Sequence, residues 1–249
     1  MRFFFPLTLI MLCGCSSIRI PESFTYQEIQ TSSFKIASWN KIQNDNAPFK
    51  IYIEGDGNAF NAYGYPTSDP TPRGKFLREL AFSDKNANVA YIARPCQFVK
   101  DEKCRQLHWT TGRFSKETVA AIAEAIKKIA GNSPATLVGF SGGAQIAGLT
   151  ASLYNDLNIK KIITISGNLD HPAWTAYHKI APLKDSLDLN KYKAAFDKFD
   201  SMHYAGEKDK IMPPMLIKGF AGESRTIIVP GASHASYPET IKEEIRKKI

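Results

Sequence analysis

Two hydrophobic periods alternate along this chain. Short apolar or alternating runs at residues 34–39, 50–53, 88–93, 135–140, 161–166, 201–205 and 225–229 have the length and the Val, Ile, Thr and Tyr content of strands. Between them lie segments of helical period. In residues 115–130, Val119, Ile122, Ala123, Ile126, Ile129 and Ala130 make one apolar face, with Ser115 and Thr118 near the start and Gly131 at the stop. Residues 144–149 read as helix, and residues 238–249 as a closing amphipathic helix. Alternation of the two types predicts an α/β domain with a mostly parallel central sheet and helices on both faces. No internal repeat or low-complexity tract interrupts it.

The run at 135–140 leads into Gly139-Phe140-Ser141-Gly142-Gly143, with the helical segment directly behind. This is the Gly-x-Ser-x-Gly nucleophile elbow in its strand-turn-helix setting. A strained turn pushes the serine hydroxyl out of the sheet, and side chains at the flanking positions would crowd the strand-helix crossing. The helix N-terminus favours negative charge developing on a substrate oxygen. Two later strand ends supply partners. Residues 201–205 are followed by Gly206-Glu207-Lys208-Asp209, and residues 225–229 by Pro230-Gly231-Ala232-Ser233-His234. Ser141 is thus the candidate nucleophile, His234 the general base, and Asp209 the group that orients and stabilises its imidazole. Asp170 is the alternative acid, one strand earlier. His203 falls inside a predicted strand, where a core role is expected. No His, Cys or Asp cluster has metal-ligand spacing, and this chemistry requires no cofactor.

From about Pro48 to the C-terminus the chain resembles the α/β-hydrolase superfamily, on the strength of the Ser141 elbow, the Asp209 loop with Pro213-Pro214, and the His234 turn. Tyr52-Ile53-Glu54-Gly55-Asp56-Gly57, Ala93-Arg94-Pro95-Cys96 and Gly167-Asn168-Leu169-Asp170-His171-Pro172-Ala173-Trp174 are similar to a narrower group of proteobacterial lipoproteins, predicted serine hydrolases of unassigned substrate. The superfamily resemblance implies acyl transfer to water and leaves the substrate open. It also implies an oxyanion hole made by the backbone N–H of Gly142 and one from the loop after the 50–53 strand, at Asp56 or a neighbouring glycine, Gly55 or Gly57. Many relatives carry His-Gly where this chain has Glu54-Gly55. The acidic side chains beside a developing oxyanion are costly, so Glu54 and Asp56 are expected to turn away or to pair with a cation, with Arg94 and Arg113 as the candidates.

About thirty-five residues separate the strand ending at Ser166 from the next one. A connection this long is commonly a lid in this fold, so residues 168–200 are the expected lid-like insertion, with His171, Trp174, Tyr177 and His178 as pocket residues. One helix and a loop packed on the sheet edge would account for the same length.

The N-terminus reads as an export signal: Arg2, an apolar run over residues 3–12 too short to span a bilayer, then Cys13-Gly14-Cys15. Leu12-Cys13-Gly14-Cys15 resembles the bacterial lipobox, which makes residues 1–14 a cleaved signal peptide and Cys15 the acylated first residue. Several acyl chains on one cysteine hold a membrane stably. An ordinary cleaved leader with incidental cysteines is the plainer alternative. Residues 15–32 are then a tether and 33–249 the globular domain. Ser16 resembles the sorting signal for the outer membrane, facing the periplasm. In that oxidising compartment Cys96 and Cys104 are expected to form a disulfide.

Of 249 residues 43% are hydrophobic and 22% charged, enough for a sizeable core in one domain. The net charge of +8 lies in short clusters such as Lys127-Lys128 and Arg246-Lys247-Lys248. These read as solvated helix ends, with attraction to an anionic membrane surface as the alternative; an exported chain without a nucleic-acid motif gives no reason to expect nucleic acid. The expected function is a serine hydrolase of the envelope, acting on carboxylic esters or another small acyl substrate. Amide or peptide hydrolysis and acyl transfer use the same triad, and a catalytically silent binding module on the same fold is the alternative of a different class.

Overall fold

A computed structural model describes residues 19–248. The expected signal peptide at 1–14 and the expected acylation site, Cys15, lie outside the described residues. Eight strands form one sheet: β1 Thr25–Gln30, β2 Lys35–Ile42, β3 Phe49–Ile53, β4 Asn88–Ile92, β5 Ala135–Phe140, β6 Ile159–Ile165, β7 Asp200–Gly206 and β8 Thr226–Val229. Their order is β1-β2-β4-β3-β5-β6-β7-β8. β1 and β2 pair antiparallel, as do β2 and β4, and every remaining pair is parallel. The central strands β3 and β4 are buried along their whole length, as strands covered on both faces must be. One apolar cluster lies on each face, the larger including Ile51, Leu137 and Ile122, the smaller Tyr52, Tyr91 and Val138.

β1 corrects the tether expected over residues 15–32. Residues 25–30 are an edge strand in register with β2, Tyr26 opposite Trp39. Only Ile29 of this strand is buried, so its Thr-Tyr-Gln-Glu-Ile-Gln sequence carries almost no apolar alternation to announce it.

Helices α1 Phe76–Phe82, α2 Lys116–Ala130, α3 Gly142–Leu153, α4 His171–Tyr177, α5 Lys193–Phe196, α6 Pro214–Ala221 and α7 Glu239–Lys247 flank the sheet. α2 begins where its cap predicts: Ser115 Oγ accepts from the Thr118 N–H at 3.3 Å. α3 follows the elbow and is buried from Gly142 to Ala151. α7 is tied to the sheet by Lys50, whose Nζ donates to the Ile245 and Arg246 carbonyls at 3.0 and 2.7 Å. That satisfies last-turn carbonyls with a buried cation.

The insertion at 168–200 does not lie over Ser141 as a lid. After α4 it runs down the flank of α3, where Leu189 and Phe196 are fully buried. A Cβ on Gly148 of α3 would stand 2.6 Å from Leu189 Cδ2. Burial of two large side chains here is worth roughly 1.5–3 kcal/mol each, enough to commit the segment to α3. Only its first part, at Asn168 and Trp174, reaches the catalytic end of the sheet.

Candidate active site

Ser141 sits between β5 and α3 with φ +51° and ψ −121°, a backbone state that costs a non-glycine residue on the order of 1–3 kcal/mol. The surroundings enforce it. Ser141 N–H donates to the Ile165 carbonyl at 3.1 Å, and its carbonyl accepts from Asn168 N–H at 2.9 Å. The flanking glycines are required by contact: a Cβ on Gly139 would stand 2.6 Å from Ala144 Cα, and one on Gly143 2.2 Å from the Ile53 carbonyl. The elbow is therefore as tight as its motif predicts.

His234 lies in the turn after β8, its ring 5.1 Å from that of Phe140. Ser141 Oγ is 3.0 Å from His234 Nε2, and Asp209 Oδ2 is 2.9 Å from His234 Nδ1. The arrangement is that of a hydroxyl donating to Nε2 while Nδ1–H donates to a carboxylate. Asp209 is fixed in turn, because its Oδ1 accepts from the N–H groups of Ile211 and Met212 at 2.9 and 2.8 Å. Burial alone would raise the Asp209 carboxyl; the hydrogen bond and charge of His234 and the Met212 N–H outweigh it and hold the group below the usual carboxylate range. Asp170, the alternative acid, is the N-cap of α4 and accepts from Ala173 N–H at 2.9 Å. It is not the carboxylate paired with His234.

Of the four residues expected at the oxyanion hole, Asp56 and Gly142 each keep a backbone N–H with no acceptor among the described residues. Gly55 N–H already donates to Glu54 Oε1 at 2.8 Å, which removes Gly55 as a donor. Gly57, at φ +65°, packs where a Cβ would meet the Pro70 carbonyl at 2.1 Å; it serves the turn of the loop. The acidic side chains are both accounted for. Glu54 Oε2 accepts from Tyr91 Oη at 2.6 Å, and burial raises its carboxyl against that hydrogen bond and the one from Gly55. Asp56 pairs with both arginines, Oδ2 with Arg113 Nη1 at 2.6 Å and Oδ1 with Arg94 Nη1 at 3.3 Å.

A cleft of about 440 Å³ opens over Ser141 and His234. Trp174 lines it, its indole N–H held by the Ile211 carbonyl at 2.8 Å. The other expected pocket residues do not line it. His171 is buried beside Phe114, with Nε2 3.1 Å from the Leu187 carbonyl. His178 Nε2 is 2.9 Å from the Ile211 carbonyl, behind Trp174, and Tyr177 points to solvent. In their place the loop after β3 supplies Phe60 and Pro72, the start of α1 supplies Phe76, and β5 supplies Phe140. The signal for that wall was its length, twenty-odd residues between β3 and α1 rich in Pro, Gly and aromatics. His203, expected in the core, is fully buried with Nδ1 2.8 Å from Thr164 Oγ1. Cys96 and Cys104 are bonded, with Cα atoms 5.7 Å apart, beside Arg94.

No curated protein sequence matches this chain. Among solved structures it is similar to Est1E from Butyrivibrio proteoclasticus, at 15% identity and TM-score 0.59, over 90% of this chain and 96% of that one. An esterase from Pyrococcus furiosus superposes with TM-score 0.60 at 15% identity, over 90% of each chain. A serine hydrolase involved in carbazole degradation does so with TM-score 0.55 at 13% identity, over 89% of this chain and 97% of that one. At these identities the likeness is one of fold. The family model for the alpha/beta hydrolase fold matches residues 59–201, more than half of the chain, from the loop over the cleft through the elbow to β7, and the chain belongs to that family.

Proposed function

We propose that this protein is a serine hydrolase of the cell envelope that cleaves carboxylic esters. The carrying observation is the unbroken relay from Asp209 through His234 to Ser141, at 2.9 and 3.0 Å, at the floor of an open cleft. Ser141 Oγ attacks the ester carbonyl carbon while its proton passes to His234 Nε2. The carbonyl π pair moves onto oxygen, and the Asp56 and Gly142 N–H groups donate to that oxyanion. Collapse breaks the bond to the alcohol oxygen, which takes the proton from His234 Nε2 and leaves as an alcohol. Water then gives a proton to His234 and adds to the acyl carbon. The second collapse expels Ser141 Oγ, which recovers its proton, and releases the carboxylic acid. Throughout, Asp209 keeps Nδ1 protonated and balances the imidazolium. Apolar walls at Phe76, Phe140 and Trp174 fit an acyl or alcohol group of modest size.

The test is labelling of the purified protein with a fluorophosphonate probe. Wild type is expected to be labelled and to turn over p-nitrophenyl esters, and Ser141→Ala to lose both while melting at the same temperature. Folded wild type that takes no label and turns over no ester would mean a binding module instead. The envelope assignment rests on Cys15 and on the Cys96–Cys104 bond, which suits an oxidising compartment. Cys15→Ser is expected to move the protein from the membrane to the soluble fraction and to abolish incorporation of labelled palmitate; unchanged fractionation refutes the anchor.

A further inference from the structure

Asp56 brings a negative charge to the place where negative charge must develop. Asp56 lines the cleft and its backbone N–H has no acceptor among the described residues, yet its carboxylate lies against the other proposed donor: a Cβ added at Gly142 would stand 2.0 Å from Asp56 Oδ1. Donation by a backbone N–H needs no carboxylate, so the side chain is not explained by the hole itself. Glu54, one residue before Gly55, is quieted by Tyr91 and the Gly55 N–H. Asp56 is held by two cations instead, and both are built in. Arg94 and Arg113 are each 4% exposed. Arg113 Nε donates to the Thr110 carbonyl at 2.7 Å and its guanidinium lies 5.4 Å over the Phe60 ring. Arg94 donates to the Arg113 carbonyl and lies 5.3 Å over the Phe114 ring. Arg113 and Asp56 both line the cleft.

Two buried guanidiniums and a half-buried carboxylate are an expensive way to stabilise a loop, since apolar packing of similar volume does as well or better. Their geometry has a different use. Two guanidiniums on one carboxylate balance its charge beside the two N–H groups, and the pairing holds the Asp56 side chain in place. We infer that Arg113, supported by Arg94, is a positioning residue of the oxyanion hole: it holds the Asp56 carboxylate off the oxyanion and balances its charge. This rests on the reading of Ser141 as nucleophile. The ionisation of Asp56 agrees with it: burial would raise the carboxyl, and Arg113 and then Arg94 more than reverse that.

Freed from Arg113, the carboxylate opposes the oxyanion, and the loss falls on the transition state rather than on binding. In Arg113→Met, kcat on p-nitrophenyl butyrate is expected to drop about a hundredfold, the size of losing one oxyanion donor, with KM within about threefold. The decisive variant is Asp56→Asn combined with Arg113→Met. Removing the stranded charge is expected to recover at least about tenfold of kcat beyond what any parallel recovery of melting temperature accounts for; a purely structural role for Arg113 would make activity and melting temperature recover together. A double variant no faster than Arg113→Met, or an Arg113→Met enzyme within about threefold of wild type, overturns the inference. If Arg113→Met does not fold, Arg113→Gln is read the same way; unfolding of both makes Arg113 a framework residue and also overturns it. The outcomes separate the two levels: wild type that neither labels nor turns over ester removes the hydrolase reading and this one together, whereas active wild type with no rescue removes this one alone.

Discussion

Asp209→Asn and Asp170→Asn change one atom each and have opposite expected consequences. Asp209 Oδ1 accepts from two backbone N–H groups at 2.9 and 2.8 Å, bonds that an asparagine oxygen keeps. The new NH2 then replaces Oδ2, 2.9 Å from His234 Nδ1. An amide NH2 only donates, so Nδ1 must accept, and the imidazole proton moves to Nε2. There it faces Ser141 Oγ and blocks the lone pair that should take the serine proton. The lost balance of charge adds to this: for charge centres roughly 4 Å apart at an effective dielectric of about 20, the carboxylate stabilises the imidazolium by about 4 kcal/mol. Together these reproduce the roughly 10⁴-fold fall in kcat seen for this substitution in a serine protease triad, about 5 kcal/mol of barrier. Asp170 Oδ1 caps α4 through Ala173 N–H, and asparagine caps as well as aspartate. Asp170→Asn is therefore expected to leave kcat/KM within about twofold of wild type. The assay is steady-state hydrolysis of p-nitrophenyl butyrate, with thermal melts to show that both variants are folded. Equal activities, or greater damage in Asp170→Asn, would refute the assignment of the acid.

Gly142→Ala places a methyl group 2.0 Å from Asp56 Oδ1. The Asp56 carboxylate, held by Arg94 and Arg113, or the Gly142 backbone must then shift, and kcat is expected to fall about tenfold or more; an alanine variant as fast as wild type contradicts the proposed placement of the hole. The Cys96–Cys104 bond closes a loop with a sequence separation of 8, so replacing both cysteines by serine is expected to cost about 2–3 kcal/mol in urea unfolding. An unmoved midpoint would show that the bond does not constrain the unfolded chain. His203 is pushed down to about 3 by burial, with Arg225 and Lys193 adding to it. The unfolded chain therefore takes up a proton below about pH 6.5 that the folded one refuses, and stability present above that pH falls as pH drops toward 3, by up to about 1.4 kcal/mol per unit. Urea midpoints from pH 7 to 4 should show that slope, and His203→Gln should flatten it; the same slope in both proteins assigns the acid sensitivity elsewhere.

The meeting of Ser141, Asp209 and His234 was legible because each follows a strand whose apolar run is visible on its own, with the candidate residue in the next few positions. β1 was not, because a solvent-facing edge strand with Ile29 as its one buried side chain has no alternation to read. The pocket wall failed for another reason. His171, Trp174, Tyr177 and His178 are adjacent in sequence, yet one lines the cleft, one is buried beside Phe114, one is exposed and one backs Trp174. That sorting depends on how the insertion runs along α3, which Leu189 and Phe196 decide from further along the chain. Asp56 falls between these cases. Local reasoning identifies an acidic side chain where an oxyanion must form and demands a cation, and the fold supplies two, from the loops after β4 and before α2. A conflict between a residue and its site is thus readable in sequence, but its resolution is tertiary. Here the conflict is met by two buried arginines where any neutral side chain would have avoided it, and the Arg113→Met and Asp56→Asn variants decide whether that charge arrangement serves the chemistry or the scaffold.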